Sequence, residues 1–166
     1  MLNRWLVVVA LLTLALAASP SRAQGPLPAP GEPARVANYN LMGERIGLVG
    51  YDPVSYFPEG GSHPRKGLIR FTQEHDGVTY RFSTQEHLEL FRKNPGRYVP
   101  VFGGWCAWAV GALGKRVDVD PESYLIRDGR LFLFYRDSEL DTRALWLKDE
   151  ANLRQKAQAN WAGLNQ

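Results

Sequence analysis

The stretch Val78-Thr79-Tyr80-Arg81-Phe82-Ser83-Thr84-Gln85-Glu86-His87-Leu88-Glu89-Leu90-Phe91-Arg92-Lys93-Asn94-Pro95-Gly96 passes from a strand pattern to a helix pattern within a few residues. Val78 to Phe82, rich in β-branched and aromatic residues, reads as a strand. Ser83-Thr84-Gln85-Glu86 carries the S-x-x-E spacing of a capping box, which places a helix start there. Leu88 and Phe91, three residues apart, supply the apolar stripe of that helix. Pro95-Gly96 ends it near Asn94.

Working outward, Leu68 to Phe71 reads as a strand joined to Val78–Phe82 through a connection containing Asp76-Gly77. Upstream, Gly47 to Phe57 is dense in aromatics and holds Asp52-Pro53, a turn initiator. Downstream, Gly103-Gly104 leads into an expected short helix from Trp105 to about Val110, closed by Gly111. Tyr124–Arg127 and Leu131–Tyr135 form a second hairpin through Asp128-Gly129, and two helices are expected near Ser138–Trp146 and Asp149–Trp161. There are no internal repeats. The pattern predicts a small single α+β domain of antiparallel strand hairpins packed with short helices and C-terminal helices.

Residues 1–23 have the three parts of a secretory signal. Arg4 is the positive start, Trp5 to Ala18 is an apolar run broken only by Thr13, and Ser21-Arg22-Ala23 fits a cleavage site before Gln24. The run is too short to span a bilayer, which takes about 20 residues. A cleaved signal and a periplasmic or secreted location are therefore expected, with no transmembrane span afterwards. Residues 24–38 include Pro26, Pro28, Pro30 and Pro33 and read as a disordered leader, followed by one domain over residues 39–164. The 166-residue chain has 20 basic and 17 acidic residues, a net charge of +3. Removing residues 1–23 takes away Arg4 and Arg22 and no acid, so +3 falls to +1. The remaining cations are scattered along the chain, which argues against nucleic acid or an anionic membrane as partner.

An exported chain normally carries cysteines in pairs, and this one has only Cys106, in Gly103-Gly104-Trp105-Cys106-Ala107-Trp108. A thiol in the first turn of a helix has its thiolate favoured by free backbone N–H groups, which raises nucleophilicity and metal affinity. Flanking Trp105 and Trp108 favour the opposite reading, a buried apolar filler. No Cys-x-x-Cys pair is present, so dithiol redox chemistry in its usual form is excluded. Of the three histidines, His63 and His75 fall in or beside loops, whereas His87 lies one turn into the capped helix at the edge of its apolar stripe. His87 is either a boundary residue bonded to backbone or a metal ligand needing partners such as Cys106 or Asp52. Asp52 is first a turn residue and second a carboxylate ligand. Ser83 is read as the helix cap. No Ser-His-Asp grouping and no glycine-rich phosphate loop can be read, so no enzyme is indicated.

Taken together, Gly50-Tyr51-Asp52-Pro53-Val54-Ser55-Tyr56-Phe57, Gly77-Val78-Thr79-Tyr80-Arg81-Phe82-Ser83, Phe91-Arg92-Lys93-Asn94-Pro95-Gly96-Arg97-Tyr98 and the Gly103–Trp108 motif resemble the exported bacterial form of the YHS domain. Asp120-Pro121-Glu122, Asp128-Gly129-Arg130-Leu131-Phe132-Leu133 and Asn160-Trp161 continue the resemblance, which spans about Gly47 to Leu164. It implies a YHS- or TRASH-like fold and an association with transition-metal handling. In the metal-binding members the ligands are cysteines, one before a proline and two around the strand-to-helix junction. Those positions fall here on Asp52, Ser83 and His87, so the thiolate cage is gone. The resemblance leaves Cys106, His87 and Asp52 as candidate metal ligands, for copper or zinc. The alternative is a structural, small-ligand or protein-binding module with a buried, inert Cys106. A third reading, oxidation of Cys106 to a sulfenic acid in a sensor or redox enzyme, needs the thiol to be accessible.

Overall fold

The computed structural model describes residues 36–43 and 45–165. The signal and most of the proline-rich leader expected from the sequence lie outside the described residues. Among the described residues the chain is α+β, with a four-stranded sheet, a two-stranded sheet and five α-helices.

The first sheet has the order β1-β2-β4-β3, from β1 (Leu41–Met42), β2 (Ile46–Gly47), β3 (Leu68–His75) and β4 (Val78–Phe82). Its pairings are antiparallel except for one parallel contact, Ile46 with Thr79, between β2 and β4. β3 and β4 are joined by the expected Asp76-Gly77 turn, both residues at positive φ (50° and 77°). That pair of left-handed residues twists the turn in the same sense as the strands it joins. β3 is longer than the sequence reading gave it, because Thr72–His75 are polar and pair with β4 through backbone rather than through an apolar face.

The second hairpin, β5 (Asp120–Arg127) and β6 (Arg130–Phe134), turns through Asp128-Gly129 with the same signs of φ (52° and 69°). The helices are α1 (Gln85–Lys93), α2 (Pro95–Tyr98), α3 (Ala107–Leu113), α4 (Thr142–Lys148) and α5 (Glu150–Leu164). Pro95 stops α1 as expected, yet its fixed φ suits the first position of a helix and it opens α2.

Two apolar cores result. On one face of β4, Val78, Tyr80 and Phe82 are all at most 1% exposed, and they pack with Tyr56, Phe57, Leu88, Phe91 and Tyr98. The second core joins Val101, Phe102, Ala107 and Val110 to Trp146, Leu153, Ala157 and Trp161. β6 belongs to both: Leu131 and Leu133 face the first core, Phe132 and Phe134 the second. Alternation along a strand sends successive side chains to opposite faces, so a strand buried on both sides reads as an unbroken apolar run.

Helix boundaries differ from the sequence reading at α1, α3 and α4, each for a local reason. The cap of α1 is Thr84, whose Oγ1 accepts the His87 N–H at 3.1 Å; Ser83 is engaged elsewhere. α3 starts after Cys106 and runs through Gly111 to a left-handed cap at Gly114 (φ 64°). Gly111 is a packing residue instead, since a Cβ there would stand 2.6 Å from the Leu153 carbonyl oxygen on α5. α4 begins only at Thr142, where Asp141 accepts from the N–H groups of Arg143 and Ala144.

The ends of the fold are tied together. Arg116 donates to Asn38 Oδ1 and the Leu164 carbonyl, both at 2.7 Å, and to Asn165 Oδ1 at 3.1 Å. Asn38 belongs to a short helical turn, Val36–Asn38, at the start of the described chain.

Candidate functional site

Asp52, 0% exposed, is the centre of the most connected buried polar group among the described residues. The tight turn after it is self-locking: Oδ1 accepts the Val54 N–H at 2.9 Å, and the Asp52 carbonyl accepts the Ser55 hydroxyl at 2.7 Å. Ser55 Oγ in turn accepts the Arg65 N–H at 3.0 Å, so the following loop is fastened to the turn. This is the Asx-turn chemistry expected of Asp before Pro.

The other carboxylate oxygen, Oδ2, reaches across to the β4–α1 junction. It accepts the Ser83 N–H at 2.8 Å, the Ser83 hydroxyl at 2.7 Å and His87 Nδ1 at 2.6 Å. α1 delivers His87 because its backbone N–H is fixed by the Thr84 cap. Ser83 and His87, four residues apart at the β4–α1 junction, therefore converge on one oxygen of the remote Asp52. These are the three positions at which the resemblance places metal ligands.

No Ser-His-Asp grouping is readable from residue spacing, and the geometry is not that of a nucleophilic triad. In a triad the serine hydroxyl gives its proton to the histidine nitrogen remote from the carboxylate. Here Ser83 and His87 share the same carboxylate oxygen, and Ser83 Oγ lies 3.3 Å from the same Nδ1 that faces Asp52. With Nδ1 turned to the carboxylate, the other ring nitrogen of His87, Nε2, has no protein hydrogen bond among the described residues. A carboxylate behind one imidazole nitrogen is also the arrangement that orients metal-binding histidines.

Tyr56 lies near this node, and Tyr80 belongs to the same core. Burial, with Tyr51, Asp120 and Asp52 nearby, pushes the Tyr56 hydroxyl well above the ordinary range. It donates to the Pro121 carbonyl at 3.0 Å and is not a proton source. Burial likewise raises Tyr80 well above its usual value, with smaller contributions from Tyr39 and Asp76.

Cys106 lies apart from this node. It is 0% exposed and sits at the N-cap position of α3, but its sulfur makes no cap bond. Sγ accepts the Tyr135 N–H at 3.4 Å and stands 3.4 Å from Thr142 Oγ1. Thr142 gives its single hydroxyl hydrogen to the Tyr135 carbonyl at 2.7 Å, so the S–H is the donor to Thr142. Backbone bonding of Cys106 to Leu133 seats it against the buried strand β6. Of the two environments the sequence left open for Cys106, the structure shows the buried one: the sulfur turns to the α4 start, and Trp105 directs its indole N–H to the Asn38 carbonyl.

Among the described residues, no group of three or more histidine, cysteine or acidic side chains is placed to hold a metal ion. Two of the three sequence candidates, Asp52 and His87, are brought together, and Cys106 is bonded to other partners. Sequence reading missed the part of Ser83, since Ser83-Thr84 offers two adjacent hydroxyls and only the remote Asp52 decides which one caps. Comparison with protein-family models, with curated proteins and with solved structures finds no match.

Proposed function

We propose that the chain is an exported, non-enzymatic binding module of the YHS type, in which a hydrogen-bonded Asp52–Ser83–His87 staple stands where related domains hold a metal. The single observation that supports this reading is the Asp52 carboxylate, which receives four hydrogen bonds from Val54, Ser83 and His87. A cation taken up there would displace these donors in a largely buried setting, at a cost of about 1–3 kcal/mol for each one left unpaired. Cys106, bonded to Thr142 and Tyr135, is structural in this reading and serves as a small filler.

A second reading keeps the transition metal, and one observation favours it. Asp52 orients the His87 ring so that Nε2 is left for an outside ligand, with the side chain 10% exposed. Soft donors would then have to come from a partner, for copper(I) above all.

Metal loading separates the two. The chain lacking residues 1–23 is incubated with zinc(II), copper(II) and reduced copper, desalted, and analysed for bound metal. The staple reading expects no retained stoichiometric metal, and slow labelling of Cys106 by a bulky thiol reagent in the native protein. One equivalent of metal, lost in His87→Ala, would overturn it in favour of the metal reading.

A further inference from the structure

Cations scattered in the sequence are gathered by folding onto one edge of the first sheet. Tyr51 bridges to Lys66, and Gly67 N–H bonds the Gly50 carbonyl at 2.9 Å, which lays residues 65–67 beside the Gly50 turn. The β3–β4 register breaks between Leu68, paired with Phe82, and Thr72, paired with Arg81. Ile69, Arg70 and Phe71 therefore bulge from the sheet opposite Arg81 and Phe82. Arg81 Nη1 extends to 3.9 Å from where a Gly50 Cβ would stand. Lys66 Nζ lies 4.0 Å over the Tyr51 ring, and the Arg70 guanidinium 4.8 Å over Phe71.

Arg65, Lys66, Arg70 and Arg81 have no carboxylate partner among the described residues, whereas Arg92, Arg97, Arg127, Arg136 and Arg154 each have one within 3.0 Å. The nearby acids do not cancel the patch: Glu74 pairs with none of the four, and Glu122 takes the Tyr51 hydroxyl. Between Lys66 and Arg70 along the chain stand the exposed side chains of Leu68 (37%) and Ile69 (75%). Ile69 is the most exposed large apolar side chain described.

We propose that this edge docks peripherally on a membrane surface carrying anionic lipid headgroups. Arg65, Lys66 and Arg70 pair with phosphates while Ile69 and Leu68 enter the interface. Charge complementarity points to an anionic partner, and the apolar tip chooses the lipid. A nucleic acid would use the cations and leave Ile69 in water. An interface uses both, as cation-flanked apolar residues do in surface-binding segments. The proposal is independent of what the Asp52 node does.

The test is flotation of the chain lacking residues 1–23, which keeps the whole described fold and removes the apolar run that would itself bind lipid. Vesicles of phosphatidylcholine alone are compared with vesicles of phosphatidylcholine and phosphatidylglycerol. Binding is expected only to the mixed vesicles and is expected to weaken as salt is raised. Each cation near an anionic surface is worth about fivefold in affinity, so R65Q/K66Q/R70Q should weaken binding on the order of a hundredfold. Ile69→Ser should weaken it about tenfold while leaving the salt dependence unchanged. All four side chains are exposed, so circular dichroism and the melting temperature should stay at the wild-type values. Equal binding to both vesicle types, no binding to the mixed ones, or an unaffected triple variant would overturn the proposal. So would binding to a duplex DNA probe as tight as to the mixed vesicles together with no effect of Ile69→Ser, which would make the patch a plain polyanion surface.

Discussion

Asp52 illustrates how one side chain can replace a cross-link. Its two oxygens, themselves sealed from water, join the Val54 turn, the end of β4 and the first turn of α1. Removing it orphans the Ser83 N–H and the His87 Nδ1–H inside the fold, and unsatisfied buried donors cost more than the bonds were worth. Asp52→Ala should therefore destabilise by about 3–5 kcal/mol, read as a lower midpoint in urea unfolding. Losing His87 alone leaves Oδ2 with both Ser83 donors, so His87→Ala should cost less, about 1–2 kcal/mol. In a double-mutant cycle the two effects should not add, because both remove the same contact. Additive losses would show that His87 is held by its helix and not by Asp52. The turn role of Asp52 was legible from Asp-Pro; its bond to the β4–α1 junction was not, because 31 residues separate Asp52 from Ser83. Cys106 was left undecided between two environments, since flanking tryptophans do not say which way a side chain at a helix start will face.

At the level of elements, both hairpins were legible because Asp-Gly supplies the two left-handed positions a tight turn needs. The helix ends were less so, and Gly111 shows why. After a short apolar stretch a glycine reads as a terminator, but here it lets α3 approach α5. A Cβ at residue 111 would stand 2.6 Å from the Leu153 carbonyl and 3.4 Å from Ala157 Cβ. The first contact is with backbone, which yields only if the helices part. Gly111→Ala gains up to about 1 kcal/mol of helix propensity and loses about 1–3 kcal/mol to overpacking. A net fall in stability is expected in thermal unfolding. A rise would mean that α5 moves aside freely. The short strands β1 and β2 were not foreseen at all. Two residues each are too few to carry a period, and they exist through backbone pairing.

Across the whole molecule, surface charge contributes little but measurably. Glu59 accepts from Arg97 Nε at 2.7 Å and from the Tyr98 hydroxyl at 3.0 Å, linking the loop after Phe57 to α2. The Arg97 bond foremost, helped by Tyr98 and opposed by partial burial, holds the Glu59 carboxyl below its usual range. A carboxyl depressed in the folded state adds stability above its unfolded pKa, and that stability is lost as pH falls through the folded value. The pair is partly exposed, so about 0.5 kcal/mol is expected after solvent screening. Wild type should melt about 1–2 °C above Glu59→Gln at neutral pH. The gap should close on acidification below the ordinary glutamate range. A gap that persists in acid would assign the effect to the Tyr98 contact instead.

The two-faced burial of β6 has a consequence for how this gene can change. Leu131 and Leu133 close a core made mostly from the chain before residue 100, and Phe132 and Phe134 close another completed by α4 and α5. Neither half owns a finished interior. Recombination with a related gene anywhere between α3 and α4 would join walls that did not diverge together, so viable exchanges should fall at the chain ends. Expressed separately, residues 36–119 and 120–165 should each show unprotected amides in hydrogen exchange. Protection in either piece alone would make that half a unit of inheritance in its own right.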